Sequence, residues 1–217
     1  MITKEILFDS FSEVKKKFIY YLLVAVFLYG LNEFFSYFNL DLLYMLFILV
    51  FLPFINLEFY HSIKENRKPK FINMVRYKNS RPLVMNLLES FYLLFWYLLF
   101  FIPGMYKTLS YTLAIKFVSE DDEIGYNDAL KKSDEEMKGL KSPLFIAQLC
   151  VFLPLFFILF MLTFPNEMRI LNGESNLADI RMVNVVQSVI IVLSSIISLA
   201  FIPVFYAKYD KLKDRNI

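Results

Sequence analysis

Residues 143–164 read PLFIAQLCVFLPLFFILFMLTF, a stretch without any Asp, Glu, Lys or Arg side chain. A helix needs about 20 apolar residues to cross the roughly 30 Å of hydrocarbon in a bilayer. Lipid offers no partners for backbone N–H and C=O groups, so a crossing segment of this kind has to be a helix that satisfies its own hydrogen bonds. The stretch therefore predicts a transmembrane helix, with Pro154 near its middle.

Similar apolar stretches recur along the chain. Hydrophobic residues make up 58% of the 217 residues and aromatic residues 18%, and the mean hydropathy is +0.50. A soluble domain averages about 45–50% apolar residues. We therefore predict an all-α, polytopic transmembrane helical bundle with six spans, at about residues 18–38, 41–60, 84–102, 104–118, 143–164 and 184–206.

The fourth predicted span, 104–118, is short and carries Lys107 and Lys116. At 1.5 Å per residue it covers only about 22 Å, which is less than a full bilayer. We expect it to return against the third span as the second arm of a helical hairpin. Pro103 and Gly104 are expected to form the turn of this hairpin.

Two polar segments flank the single membrane domain, which covers 18–206. Residues 207–217 form a cytoplasmic tail. Residues 1–17 carry apolar side chains at helical spacing among charged ones, a pattern that predicts an amphipathic helix at the membrane interface. The apolar positions of this pattern are Leu7, Phe11, Val14 and Phe18.

The distribution of positive charge predicts the orientation of the spans, because Lys and Arg near span ends favour the cytoplasmic side. Six spans place nearly all of the 23 Lys and Arg residues on one face, which is expected to be cytoplasmic, with both termini inside. The three exceptions are Lys107, Arg169 and Arg181. The run 15–17 (KKK) precedes the first span without a following small-x-small cleavage site, as in an uncleaved signal anchor.

A basic loop follows the second span. Its cations are expected to attract anionic lipids at the cytoplasmic face, at about 1 kcal/mol for each Lys or Arg near the surface. A role as topology determinants also explains their presence. The predicted lipid contacts are Lys64, Arg67, Lys68, Lys70, Arg76, Lys78 and Arg81.

Ionisable side chains inside a bilayer are costly and therefore mark candidate sites. With a turn at 103–104, Glu89 and Lys116 stand at similar distances from it. We predict that they form an intramembrane pair, which offsets the cost of desolvating each group; the alternative is that both extend separately to water. No carboxylate falls at mid-depth, where a proton- or sodium-coupled carrier needs one.

Motifs of catalysis and cofactor binding are missing from the sequence. Phosphate-binding glycine loops, zinc-protease motifs and serine-hydrolase motifs do not occur. The single histidine, His61, and the single cysteine, Cys150, are too few for a typical triad or metal cluster. We expect no enzymatic activity, no cofactor, no metal and no nucleic-acid partner. The alternative is an enzyme acting on lipid headgroups, with Glu58, His61 and Glu89 as candidates.

Several short motifs follow one another from residue 68 onward. KPKF at 68–71 precedes an apolar span that ends with IPG at 102–104, and MKG at 137–139 and FY at 205–206 come later. Over about residues 60–212, this arrangement resembles the bacterial integral membrane family catalogued as domain of unknown function 975, found mainly in Gram-positive bacteria. The resemblance implies a multi-pass protein of a bacterial cell membrane and leaves the activity open.

These features favour a non-enzymatic membrane protein that acts through contacts within the bilayer. Examples are a protection (immunity) protein against a membrane-acting toxin or bacteriocin and an accessory subunit of an export system. The alternative is a small carrier for a lipid or an apolar solute. VFLP at 50–53 recurs at 151–154, and FIP at 101–103 recurs at 201–203. An inverted repeat produces this arrangement, and so does chance in a chain rich in Phe, Leu and Ile.

Overall fold

The computed structural model describes residues 2–70, 80–171 and 177–215. Every element in these ranges is a helix. In chain order the helices are α1 (Ile2–Lys16), α2 (Phe18–Tyr37), α3 (Asp41–Lys64), α4 (Arg81–Leu99), α5 (Phe101–Tyr111), α6 (Ala114–Glu120), α7 (Tyr126–Glu136), α8 (Lys141–Leu171) and α9 (Leu177–Arg215).

Five helical segments are long and apolar enough to cross a membrane. Their counterparts are five of the six predicted spans. The segment predicted as the fourth span, 104–118, is divided between α5 and α6, which have 11 and 7 residues and are each too short to cross alone. The five segments are Phe18–Tyr37, Asp41–Lys64, Arg81–Leu99, Lys141–Pro165 and Met182–Asp214.

Helix α9 lies at the centre of the bundle, where it packs against α1, α2, α3 and α8. In its most apolar part 39% of the residues are buried, compared with 11% in α4. Large apolar side chains remain exposed on the outer faces, such as Phe27 on α2, Leu98 on α4 and Met161 on α8. Apolar outer faces suit helices that are surrounded by lipid.

Helices α2 and α3 pack side by side as a hairpin. Their connection contains Asn39 with φ +57°, a left-handed conformation that asparagine adopts more readily than most residues. The Leu40 N–H donates to the Phe35 carbonyl at 2.8 Å and closes the end of α2. Further along the hairpin, the rings of Tyr21 and Phe59 stack with their centres 4.1 Å apart.

Two apolar clusters fill the bundle. The first joins α2, α3 and α9 and contains Tyr21, Val24, Leu28, Ile55, Phe59 and Leu199. The second joins the ends of α1, α3 and α9 to helices α4 to α8 in the middle of the chain. Its members include Ile6, Leu57, Met85, Leu113, Leu144, Phe205 and Tyr209. Where the bundle meets water, burial of these side chains stabilises it through the hydrophobic effect.

Helix α1 connects the ends of α3 and α9. Lys208 of α9 pairs with Glu5, and Lys17, which follows α1, donates to Ser62 Oγ of α3 at 3.1 Å. The face of α1 that is buried contains Ser10 and Glu13. Much of its apolar side points outward instead, with Phe8 75% exposed and Phe11 50% exposed.

The sequence predicted the turn of the α4–α5 hairpin at Pro103 and Gly104, and this prediction was wrong. The chain reverses at Phe100, where the backbone is extended (φ −159°, ψ 136°). Pro103 and Gly104 lie in the first turn of α5, because a proline there lacks only an N–H that no helical carbonyl needs. Gly104 faces Tyr97, whose hydroxyl is 3.0 Å from Thr108 Oγ1, and so the two arms do pack as predicted.

We expect Gly104→Ala to loosen this hairpin. An added Cβ would lie 2.5 Å from Tyr97 Cδ1, so the ring has to move and give up its contact with Thr108. Overpacking of this kind costs about 1–3 kcal/mol, and the thermal midpoint of the purified protein in detergent should fall. Gly30→Ala is the control, because a Cβ there has no neighbour within 4 Å. If Gly104→Ala still lowers the midpoint in a Tyr97→Ala background, the ring contact is not the cause.

Candidate functional site

A buried lysine marks the centre of the most polar region of the bundle. Lys116 on α6 is only 2% exposed, and its Nζ lies 2.6 Å from Glu120 Oε2 and 2.7 Å from Asp210 Oδ1. Its ammonium group also lies over the rings of Tyr60 and Tyr209, 5.4 and 5.3 Å from their centres. The two carboxylates replace the water that Lys116 loses on burial.

The same carboxylates enclose a tyrosine hydroxyl. The oxygen of Tyr60 is 2.5 Å from Glu120 Oε1 and 2.5 Å from Asp210 Oδ2. Lys64 donates to Tyr60 and to Glu120, at 3.2 Å in each case. Burial alone would raise the pKa of Glu120, but hydrogen bonds from Lys116, Tyr60 and Lys64 outweigh it and lower this pKa to about 2. The charges of this group, which we call the Lys116 cluster, balance.

The predicted pair of Glu89 and Lys116 does not form. Lys116 is paired with Glu120 and Asp210, whereas Glu89 Oε2 is buried without a hydrogen-bond partner. The prediction was wrong because it counted from a turn at 103–104, and the turn at Phe100 shifts the register between the arms. Asp210 lies far away in sequence, so the spacing around Lys116 gave no sign of it.

A second group of charges fixes α7 to α5. Asp134 of α7 lies 3.1 Å from Lys107 Nζ and 2.6 Å from Lys141 Nζ. Burial opposes ionisation of Asp134, but hydrogen bonds from Lys141, Ser110 and Lys107 lower its pKa to about 2. Lys141, the first residue of α8, also lies over the Tyr106 ring, 4.2 Å from its centre. The sequence placed Lys107 on the opposite face from the α7 segment, and the structure corrects this by joining them.

The basic residues predicted to bind lipid differ in their contacts and in their exposure. Lys64 belongs to the Lys116 cluster, and Arg67 pairs with the buried Glu58 at 2.5 Å. Arg81 donates to the Ile124 carbonyl. The side chains of Lys68 and Lys70 are exposed and free to reach a headgroup, whereas Arg76 and Lys78 lie outside the described residues.

The residues considered for an enzyme lie on two helices, with Glu58 and His61 near the end of α3 and Glu89 on α4. The carboxylate of Glu58 is held by Arg67, and its Oε1 also accepts the Lys70 backbone N–H at 2.7 Å. Glu89 lies on a different helix. Over the described ranges, no three His, Cys, Asp or Glu side chains are grouped as metal ligands.

A cavity of about 490 Å³ lies between α1, the end of α3 and α9. We call it the basic cleft. Its wall also includes Asp9, Glu13 and the hydroxyl of Ser12, and its apolar lining comes from Tyr20, Ile63, Val204 and Ala207. The cationic residues around it are Lys16, Lys17, Arg67, Lys68, Lys208 and Lys211. The sequence predicted that cations gather at the cytoplasmic ends of the spans. Of these six cations, however, only Arg67 and Lys68 were predicted to contact lipid.

The lowered pKa of Glu120 predicts how its contribution to stability depends on pH. Because this pKa is lower in the folded protein than the ordinary value of about 4.3, the contribution is complete above that value and is lost as pH falls toward 2. Glu120→Gln should therefore lower the thermal midpoint at pH 7, and the gap to the parent protein should narrow between pH 5 and pH 2.5. Glu123→Gln, an exposed change in the loop that follows α6, should give a small, constant gap. A constant gap for Glu120→Gln as well would contradict the assignment.

Comparisons with known proteins add no relative: no family model, no curated protein and no solved structure matches this chain. The resemblance drawn from the sequence motifs therefore stays a prediction.

Proposed function

We propose that the protein is a non-enzymatic, multi-pass membrane protein that acts by binding another membrane component within the bilayer. The observation that carries this proposal is the packing of the bundle. Apolar side chains fill the space between α2, α3 and α9, and the ionisable groups of the Lys116 cluster are occupied by one another. Outer faces that are rich in exposed Phe, Leu and Met offer a surface for contacts in lipid.

Both termini are proposed to lie on the cytoplasmic side, with the basic segments held there by the positive-inside rule. The contacts of Lys107 bear on the number of crossings. Its partner Asp134 also binds Lys141, the residue at which α8 begins, and this supports placing α5 at the depth where α8 enters the membrane. We therefore propose that α4, α5 and α6 form a hairpin that enters and leaves at the cytoplasmic face, and that α2, α3, α8 and α9 are the full crossings.

Cysteine labelling in intact cells tests this topology. Cys150→Ser removes the single cysteine, and new cysteines are placed singly at Asn39, Tyr106 and Lys213. Asn39→Cys, in the α2–α3 turn, should react with a membrane-impermeant maleimide added outside. Tyr106→Cys and Lys213→Cys should react only after permeabilisation. Labelling of Tyr106→Cys from outside would mean that the hairpin crosses the bilayer, as six spans require.

The binding partner is proposed to be a protein or peptide of the membrane, such as a membrane-acting toxin or the core of an export system. The exposed Phe, Leu and Met side chains on the outer faces support this class, because helices associate in lipid through close van der Waals packing of their outer faces. We also propose that the protein acts in the cell membrane of a Gram-positive bacterium, where it protects that membrane. This setting rests on the resemblance of the sequence motifs to the family named above.

Photo-crosslinking in native membranes tests the binding partner. A diazirine amino acid is placed at exposed positions on three faces, Phe27, Leu98 and Met161, and at the buried Leu199 as the control. We expect one face to give a discrete protein or peptide adduct, which a second probe on that same face reproduces and the control lacks. Adducts with lipid alone at all three faces would contradict the proposal.

A groove between α3 and α4 favours a second candidate, the small carrier for a lipid or apolar solute. It has a volume of about 310 Å³ and presents the amides of Asn56 and Asn86 among apolar side chains. The proposed inverted repeat gives this candidate less support, because it equates α4 with α9 and these have 19 and 39 residues.

A further inference from the structure

The basic cleft holds more positive charge than its own acids balance. Lys17 is paired with Glu13 at 2.7 Å, and Lys208 is paired with Glu5 and also approaches Asp9 at 3.8 Å. Arg67 is paired outside the lining, with Glu58 and Glu65. The three remaining cations of the cleft are Lys16, Lys68 and Lys211.

These three lysines come from separate elements. Lys16 ends α1, Lys68 lies in the loop after α3, and Lys211 is near the end of α9. All three side chains are exposed, and no ion pair is formed by any of them within the described ranges. The six cations of the cleft stand against five carboxylates that pair with them, which leaves a small positive excess. This excess is carried by lysines that have no ion pair in the part of the chain that the structure describes and can turn toward an anion from solution or from the membrane surface.

The lining of the cleft also has an apolar part. Ile63, Val204 and Ala207 lie beside the charged groups, so an occupant with carbon chains as well as charge fits better than a bare ion. The helix that forms one wall carries Phe8 and Phe11 on its outer surface. Aromatic groups of this kind anchor an amphipathic helix at the level of lipid headgroups.

We propose that the basic cleft is a binding site for a phosphate ester, and that its natural source is the headgroup of an anionic phospholipid. Lys16, Lys68 and Lys211 bind the phosphate oxygens, while the acyl chains leave the cleft over its apolar side. The Ser12 hydroxyl is placed to donate to the phosphate or to a headgroup hydroxyl. The site differs from the basic loop predicted from the sequence, since two of its three free cations lie on α1 and α9.

This site does not depend on the intramembrane partner proposed above, and the two fail separately. The test uses the full chain, purified in a neutral detergent, with lipid binding measured by native mass spectrometry. Phosphatidylglycerol is titrated against phosphatidylcholine of the same chain length, and glycerol 3-phosphate is the soluble probe. Phosphatidylglycerol should bind at least about tenfold more tightly than phosphatidylcholine, and more weakly as salt rises.

The triple variant Lys16→Gln, Lys68→Gln, Lys211→Gln should weaken phosphatidylglycerol binding about tenfold or more, because each cation near a lipid surface contributes several-fold to affinity. The control variant Lys4→Gln, Lys15→Gln, Lys213→Gln removes the same charge from the same end of the protein but outside the cleft lining. An equal loss in both variants would show attraction by the whole surface and overturn the site. Equal affinity for glycerol 3-phosphate would leave the phosphate site standing and reject the lipid as its source.

Discussion

An ammonium group that is almost completely withdrawn from water keeps its charge only where anionic oxygens stand in for the lost hydration. Lys116 meets this condition because α6 supplies Glu120 and α9 supplies Asp210, while Tyr60 of α3 joins the two carboxylates. Three helices that are distant in sequence are thereby fixed at one depth. The remaining polar features at this end of the bundle are positioned relative to that point.

The position of α9 has consequences for the groups around its end. With Asp210 held by Lys116, the preceding turn presents Tyr206, whose hydroxyl donates to the Thr112 carbonyl at 2.8 Å. Lys208 faces the opposite way, toward Glu5 of α1. One helical turn of α9 thus contacts the α4–α5 hairpin segment on one side and α1 on the other. The basic cleft opens beside this turn of α9.

Apolar runs predict helices with little ambiguity, because an exposed backbone is too costly in lipid for any other structure. The predicted spans at 18–38 and 143–164 reappear among the five helical segments that are long and apolar enough to cross a membrane. The turn and the contacts of the α4–α5 hairpin are harder to predict from the sequence. A proline followed by glycine is typical both of a turn and of a helix start, and here the second applies. The partners of Lys107 and Lys116 depend on how α7 and α9 pack, which spacing along the chain does not encode. Tyr60 and Asp210 were missed for the same reason.

The outward direction of Phe8 and Phe11 on α1 widens the end of the bundle at which α1 lies. A helix that connects the end of α9 to the end of α3 and points aromatic rings away from the bundle takes up area among the lipid headgroups on its own side of a membrane. Insertion of such a helix on one side is most favourable where curvature has spread the headgroups of that leaflet apart. An outer surface of this shape makes the association of the protein with a membrane sensitive to the curvature of that membrane.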